Sequence, residues 1–250
     1  MVNTDGGAGF SGGLILSASI EWANVKPGMV VMGSADRSIL FGGIGPRHEI
    51  SIEYSFKISR IPVPSSEALQ IIQSSEADIA SESEWELANS RGLLSAEIGC
   101  IERLEDRHHG YWGKICDGRP HYGVNRGLQN LRRWSKSGPV PIQRPTLSEA
   151  EKTESVRLVI RADPDWSDNS LAIPIRKDNQ RIFLEEALIS LFFGVLPSFI
   201  WAYYNASDGY IREGWLNLIF GGIFFGLFTS LFWRPKQPTW HIKSGRMINK

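Results

Sequence analysis

Two stretches limit what this chain can fold into more than any others. Residues Ala187 to Tyr204 read ALISLFFGVLPSFIWAYY, eighteen residues without a charge, and Trp215 to Trp233 read WLNLIFGGIFFGLFTSLFW, nineteen more. A hydrocarbon core about 30 Å thick requires roughly 20 apolar residues at about 1.5 Å per residue, so each stretch is close to spanning length. Helices this apolar on every face need more surrounding protein than a 250-residue chain supplies. The expectation is an integral membrane protein with a two-helix transmembrane hairpin over 182–233 (spans 187–204 and 215–233) and the lipid bilayer as its first partner.

The flanks agree. Trp201, Tyr203, Tyr204, Tyr210 and Trp215 cluster near one end of the two stretches, and Trp233 marks the other, as in aromatic belts. Arg176, Lys177 and Arg181 precede the first stretch, and the basic tail 234–250 holds five Lys or Arg and no acid. The connecting loop holds one Arg, so both termini are expected on the cytoplasmic side. Ser190, Gly194 and Ser198 recur every four residues in the first stretch, and Gly222 and Gly226 form a GxxxG in the second. Such small residues let helix backbones approach, although glycine is also simply common in membrane helices. Pro197 is expected to kink the first span. With no ionisable residue in either stretch, a transporter or ion pathway is disfavoured and anchoring is the expected role.

Composition narrows the rest. Lys plus Arg equals Asp plus Glu at 27 each, so no global field points to nucleic acid, which is not an expected partner. Two cysteines, Cys100 and Cys116, form neither a disulfide framework nor a CxxC pair, and fit a reducing compartment. Residues 1–25 lack a basic n-region and are glycine-rich, which predicts a flexible start rather than a secretory signal.

The stretch from 45 to 63, GPRHEISIEYSFKISRIPV, alternates. Ile50, Ile52, Tyr54, Phe56 and Ile58 share one face, which predicts a half-buried strand. Pro62 and Pro64 end it, and Ser65, Ser66 and Glu67 open a helix running through Ile72. In SESEWELANSRG, residues 81–92, Ser81 and Glu84 have the spacing of a capping box. Glu82, Glu84 and Glu86 suit the helix dipole, Trp85 and Ala88 turn inward with Leu87 on the flank, and Gly92 is a stop.

Taken in order, MVVMGS, GPRHEISIEYSFKISRIPV and SESEWELANSRG resemble the formylglycine-generating-enzyme (sulfatase-modifying-factor) family, with its MGS turn, PxHxV strand, PVT helix start and TEAEWEYAARGG helix. Met32, Gly33, Ser34, Pro46, His48, Ile50, Phe56, Ile58, Pro62, Val63, Glu82, Glu84, Trp85, Glu86 and Ala88 carry the match, and VRLVIR at 156–161 is similar to the family's final strand. The resemblance covers 26–162 and implies an α+β, C-type-lectin-like fold. It also implies, in enzymatic members, a copper-binding cysteine pair near the last strands. The corresponding tract here, about 127–157, contains no cysteine, and EIGCIERLEDRHHGYWGK stands where the family has its GNVWEW signature. A thiolate is the soft ligand and nucleophile required, so the chain is expected to be a non-catalytic relative without a cofactor.

Two further constellations stand out. Cys100, His108, His109, Cys116 and His121 are metal-ligating types, but their spacing matches no standard site, and adjacent histidines on a strand point to opposite faces. Glu102, Glu105 and Asp106 lie among them as acid–base candidates or as a solvated face. Arg132, Arg133, Trp134, Lys136 and Arg144 form a basic patch, either facing anionic lipid or an acidic partner or serving as ordinary surface charge. Segment 163–181 has the makeup of a linker with an apolar patch that docks on the domain. The expected role is a binding or scaffold module at the cytoplasmic membrane face, with a protein partner or a second copy. The alternatives are a metal- or oxygen-dependent enzyme using the Cys/His cluster, and an accessory subunit of a larger membrane complex.

Overall fold

The computed structural model describes residues 20–123, 128–145, 154–167, 169–207 and 209–249. They form a mixed α+β body and two long helices. Three sheets make the body. The first contains β1 (Trp22–Val25), β4 (Phe56–Ser59), β11 (Leu158–Arg161) and β6 (Asp78–Ile79) in the order β1-β4-β11-β6. The second contains β5 (Val63–Pro64), β10 (Ser155–Val156), β7 (Ile101–Arg103), β8 (Leu128–Ser135) and β9 (Gly138–Pro145) in that order. The third runs β13-β12-β3-β2, with β2 at Gly28–Met32, β3 at His48–Ile52, β12 at Trp240–Lys243 and β13 at Arg246–Asn249.

The expected strand over 50–58 is two strands. β3 pairs antiparallel with β2, from Gly28↔Ile52 to Met32↔His48, and after Glu53–Ser55 the chain moves into β4, which pairs with β1 and β11. Alternation survives the change of sheet. Ile50, Ile52, Tyr54, Phe56 and Ile58 are all buried in the main core with Trp85, Leu87 and Leu104. Gly33 makes the turn after β2 at φ +78°, where a side chain would strike the Pro46 carbonyl.

Three terminal or connecting segments join the body. The first strand begins at Trp22, inside the segment expected to be flexible. Within the expected linker, Ile173 is buried in the main core and its amide donates to Lys114 O at 2.9 Å. The basic tail is a hairpin whose Trp240 pairs in parallel with His48, and the Ile242 amide donates to the Glu49 carboxylate at 2.8 Å. That hairpin is hard to read because its strands are short: of WHIK and RMIN only Trp240 and Met247 pack against the main core.

The long helices run over Asn179–Asn205 and Tyr210–Leu231, and both are long and apolar enough to cross a membrane. Most of their large apolar side chains, among them Phe192, Phe193, Ile200, Phe224 and Phe225, are exposed. A π-helical turn at Leu191–Val195 precedes Pro197, where the missing amide would otherwise leave an α-helical carbonyl unpaired.

Candidate functional site

The helix α2 (Glu82–Ser90) is the hub of the body. The Ser81 hydroxyl accepts the Glu84 amide at 3.1 Å and donates to Gly118 O at 2.6 Å, while the Glu84 carboxylate accepts the Ser81 amide at 2.8 Å. This is a complete capping box. Its glutamates do more than suit the dipole. Glu82 and Glu84 are fully buried, and each is met by an arginine from a strand near the end of the body.

Glu84 accepts Arg161 Nε at 2.7 Å and the Tyr54 hydroxyl at 2.8 Å. Glu82 accepts Arg132 Nη2 at 2.6 Å, the Tyr111 hydroxyl at 2.8 Å and Asn130 Nδ2 at 3.1 Å, and lies 3.0 Å from His108 Nε2. Burial opposes the charge on Glu82, but Arg132, His108 and Lys114 overcome it and hold its pKa well below 4.5. Arg132 also reaches Glu86 at 2.7 Å and lies over the Trp85 ring. On the other side of Trp85, the indole donates to Glu102 at 2.8 Å, and Glu102 pairs with the buried Arg157 at 2.7 Å.

Asp106 completes the cluster. It accepts the Glu82 amide at 2.6 Å, the His121 amide at 2.9 Å and the buried Lys114 ammonium at 3.1 Å. The acidic cluster Glu102, Glu105 and Asp106 is therefore no solvated face: Glu102 and Asp106 are fully buried, and Glu105 accepts the Tyr122 hydroxyl at 2.6 Å.

The predicted metal-ligating set separates. His108 and His121 lie tilted against each other with ring centroids 5.0 Å apart, whereas His109 is exposed. Cys116 lies beside Ser51 and Leu171, and Cys100 beside Trp134 and Glu97. Burial pushes the Cys116 thiol up to about 12, and burial and Glu102 raise Cys100, so neither is a ready thiolate. The copper pair implied by the motif resemblance does not fit these residues. Ligand atoms of Glu82, Asp106 and His108 do lie within 4.8 Å of one another. Arg132 and Lys114 already supply the positive charge there, and burial holds His48 at about 4 and His121 at about 3, both neutral near pH 7.

The basic patch also divides. Arg132 is buried, Arg133 and Lys136 are exposed on the same β8–β9 hairpin, Trp134 donates its indole to Glu102, and Arg144 pairs with Glu154. The helix-packing candidates lie on the contact between the long helices. A methyl on Gly226 would come within 2.6 Å of Ser190 Cα, and one on Gly222 within 2.8 Å of the Gly194 carbonyl carbon. The Ser198 hydroxyl donates across to Leu218 O at 2.9 Å.

A cleft of about 1170 Å³ opens between the body and the base of the long helices, lined by Arg37, His109, Trp112, Gln143, Lys177 and Arg234 among others. Two ion pairs brace it, Arg37 with Glu185 at 2.6 Å and Arg234 with Glu186 at 2.8 Å. Its walls come from segments far apart in the chain, and residue spacing carries no sign of it.

No protein-family model and no curated protein matches this chain. Among solved structures, the chain is similar to PvdO from Pseudomonas aeruginosa, at 12% identity and a TM-score of 0.42, over 56% of this chain and 94% of that one. That is a distant structural likeness and no more.

Proposed function

We propose that this chain is a membrane-anchored, non-catalytic binding module: a lectin-like relative of the formylglycine-generating-enzyme fold, held at the cytoplasmic face by its helical hairpin. One observation carries the reading. The acidic groups of the ESEWE helix and of Glu102 and Asp106, which an active site would draw on, are consumed by internal arginines, Lys114 and indoles. A group that must exchange protons or hold a metal needs a free coordination or hydrogen-bonding position, and Glu82, Glu84 and Glu102 already accept two bonds on each carboxylate oxygen. The exposed apolar faces of two spanning-length helices support the anchor, and the excess of Lys and Arg at the domain-side flanks supports its orientation.

The cleft at the foot of the hairpin is the surface offered to a ligand, with basic and aromatic side chains on its walls. Elemental analysis of the detergent-purified full chain tests the non-catalytic part. No stoichiometric copper, iron or zinc is expected; a stoichiometric metal that disappears on Cys116→Ser would establish the enzymatic alternative instead. A reporter fused after Lys250 tests the orientation and is expected to be active only in its cytoplasmic form.

A further inference from the structure

Between Asp36 and Ile44 the chain leaves the body and lies against the base of the long helices. The segment SILFGG, residues 38–43, carries no charge, and its consecutive Ile39, Leu40 and Phe41 are 66%, 58% and 68% exposed. Three adjacent large apolar side chains on one loop tip are unusual for a surface in water. The loop is also fixed in position. The Ile39 amide donates to Ser230 O at 2.9 Å and the Leu40 amide to Leu231 O at 3.0 Å, so the loop supplies donors to the last carbonyls of the second long helix.

Those carbonyls end the helix, and the Arg234 side chain folds back past them, its guanidinium donating to Gly226 O at 3.2 Å and to the Thr229 hydroxyl at 2.7 Å. The loop's own backbone is closed as well. The Gly42 amide donates to Ser38 O at 2.8 Å, and the Ser38 amide to the Asp36 carboxylate at 2.9 Å. The amides of Ser38, Ile39, Leu40 and Gly42 are thus paired and the tip is uncharged and apolar, which lowers the cost of entering a medium that offers no hydrogen bonds. Phe228, Phe232 and Trp233, the exposed rings at the same end of the helix, continue the apolar surface.

We infer that Ile39, Leu40 and Phe41 insert into the lipid acyl region beside the hairpin, a third membrane contact that fixes the tilt of the body against the bilayer. This rests on the reading of the long helices as spans, and the test separates the two. Single cysteines at Phe41→Cys, Ile39→Cys, Ile98→Cys and Phe224→Cys, in a Cys100→Ser background with buried Cys116 kept, are spin-labelled in full-length protein in phosphatidylcholine nanodiscs. Collisional access to oxygen is compared with access to a water-soluble nickel chelate. The labels at 41 and 39 are expected to favour oxygen, in the range of the mid-helix label at 224, while the label at 98, on an exposed loop of the body, favours nickel. Oxygen preference at 224 with nickel preference at 41 and 39 overturns the inference and leaves the spans standing. Nickel preference at 224 overturns both. Shielding of 41 and 39 from both reagents would show a protein contact and likewise overturn it.

Discussion

The body and the helical hairpin hold themselves together by opposite means. Around Trp85 the body buries Glu82, Glu84, Glu102 and Asp106 against Arg132, Arg161, Arg157 and Lys114, with long side chains filling the space between strands and helix. The hairpin contact at Gly194, Gly222 and Gly226 has almost no side chain at all; backbones touch, and one serine hydroxyl crosses. The difference follows from solvent. In water, a folding body can bury paired charges because apolar burial around them supplies the driving force, while each pair fixes which strand lies against which helix. On the proposed membrane placement the helices are surrounded by apolar medium, that driving force is missing, and close backbone approach with van der Waals contact takes its place.

The comparison can be broken at either side. The largest effect is expected from Glu102→Leu, which leaves the Arg157 guanidinium buried without its carboxylate and the Trp85 and Trp134 indoles without an acceptor. A loss of about 3–5 kcal/mol is expected, measured by chemical unfolding in mild detergent; Arg157→Met combined with it should recover much of the loss. Next is Gly222→Leu, where Val195 and Gly194 backbone atoms occupy the space a side chain would need. Overpacking of about 1–3 kcal/mol is expected, seen as loss of cross-linking between cysteines at Ser198 and Leu218. Gly221→Leu, one residue away with nothing within 4 Å, should leave that cross-link intact.

A pH series sharpens the electrostatic side. His48 and His121 are held neutral by burial, with pKa values of about 4 and about 3 against an ordinary 6.5. Below 6.5 the unfolded chain takes up protons that the folded body refuses, so their contribution is complete above 6.5 and declines as pH falls toward 4. Unfolding midpoints are expected to drop over that window, with a shallower slope in His121→Asn. The smallest effect is Ser81→Ala, about 1 kcal/mol for the lost cap, which should lower the midpoint without changing the cross-link in the hairpin.

How much of this the sequence revealed depends on range. The capping box, the inward Trp85, the ends of α2 and the long helices are local patterns, written within a dozen residues. The burial of Glu82 and Glu84 is not, because the arginines that meet them lie 50 and 77 positions away, and an isolated carboxylate reads as a surface charge. One cue was available: VRLVIR places Arg157 and Arg161 inside an apolar strand, and a charge there requires a buried partner. The separation of Cys100 from Cys116 and the cleft at the helix base depend on how three sheets stack, which no spacing encodes.

The hairpin β12–β13 makes assembly order matter. The chain completes β3 early, passes through both long helices, and only then delivers Trp240 to lie beside His48. Until the second helix has been synthesised and has turned back, the His48 end of β3's outer edge lacks its partner, although Ser51 nearer the other end already donates to Cys116 O. A chain whose helices fail to come together therefore also fails to complete its third sheet, and the body reports on the state of the helical hairpin.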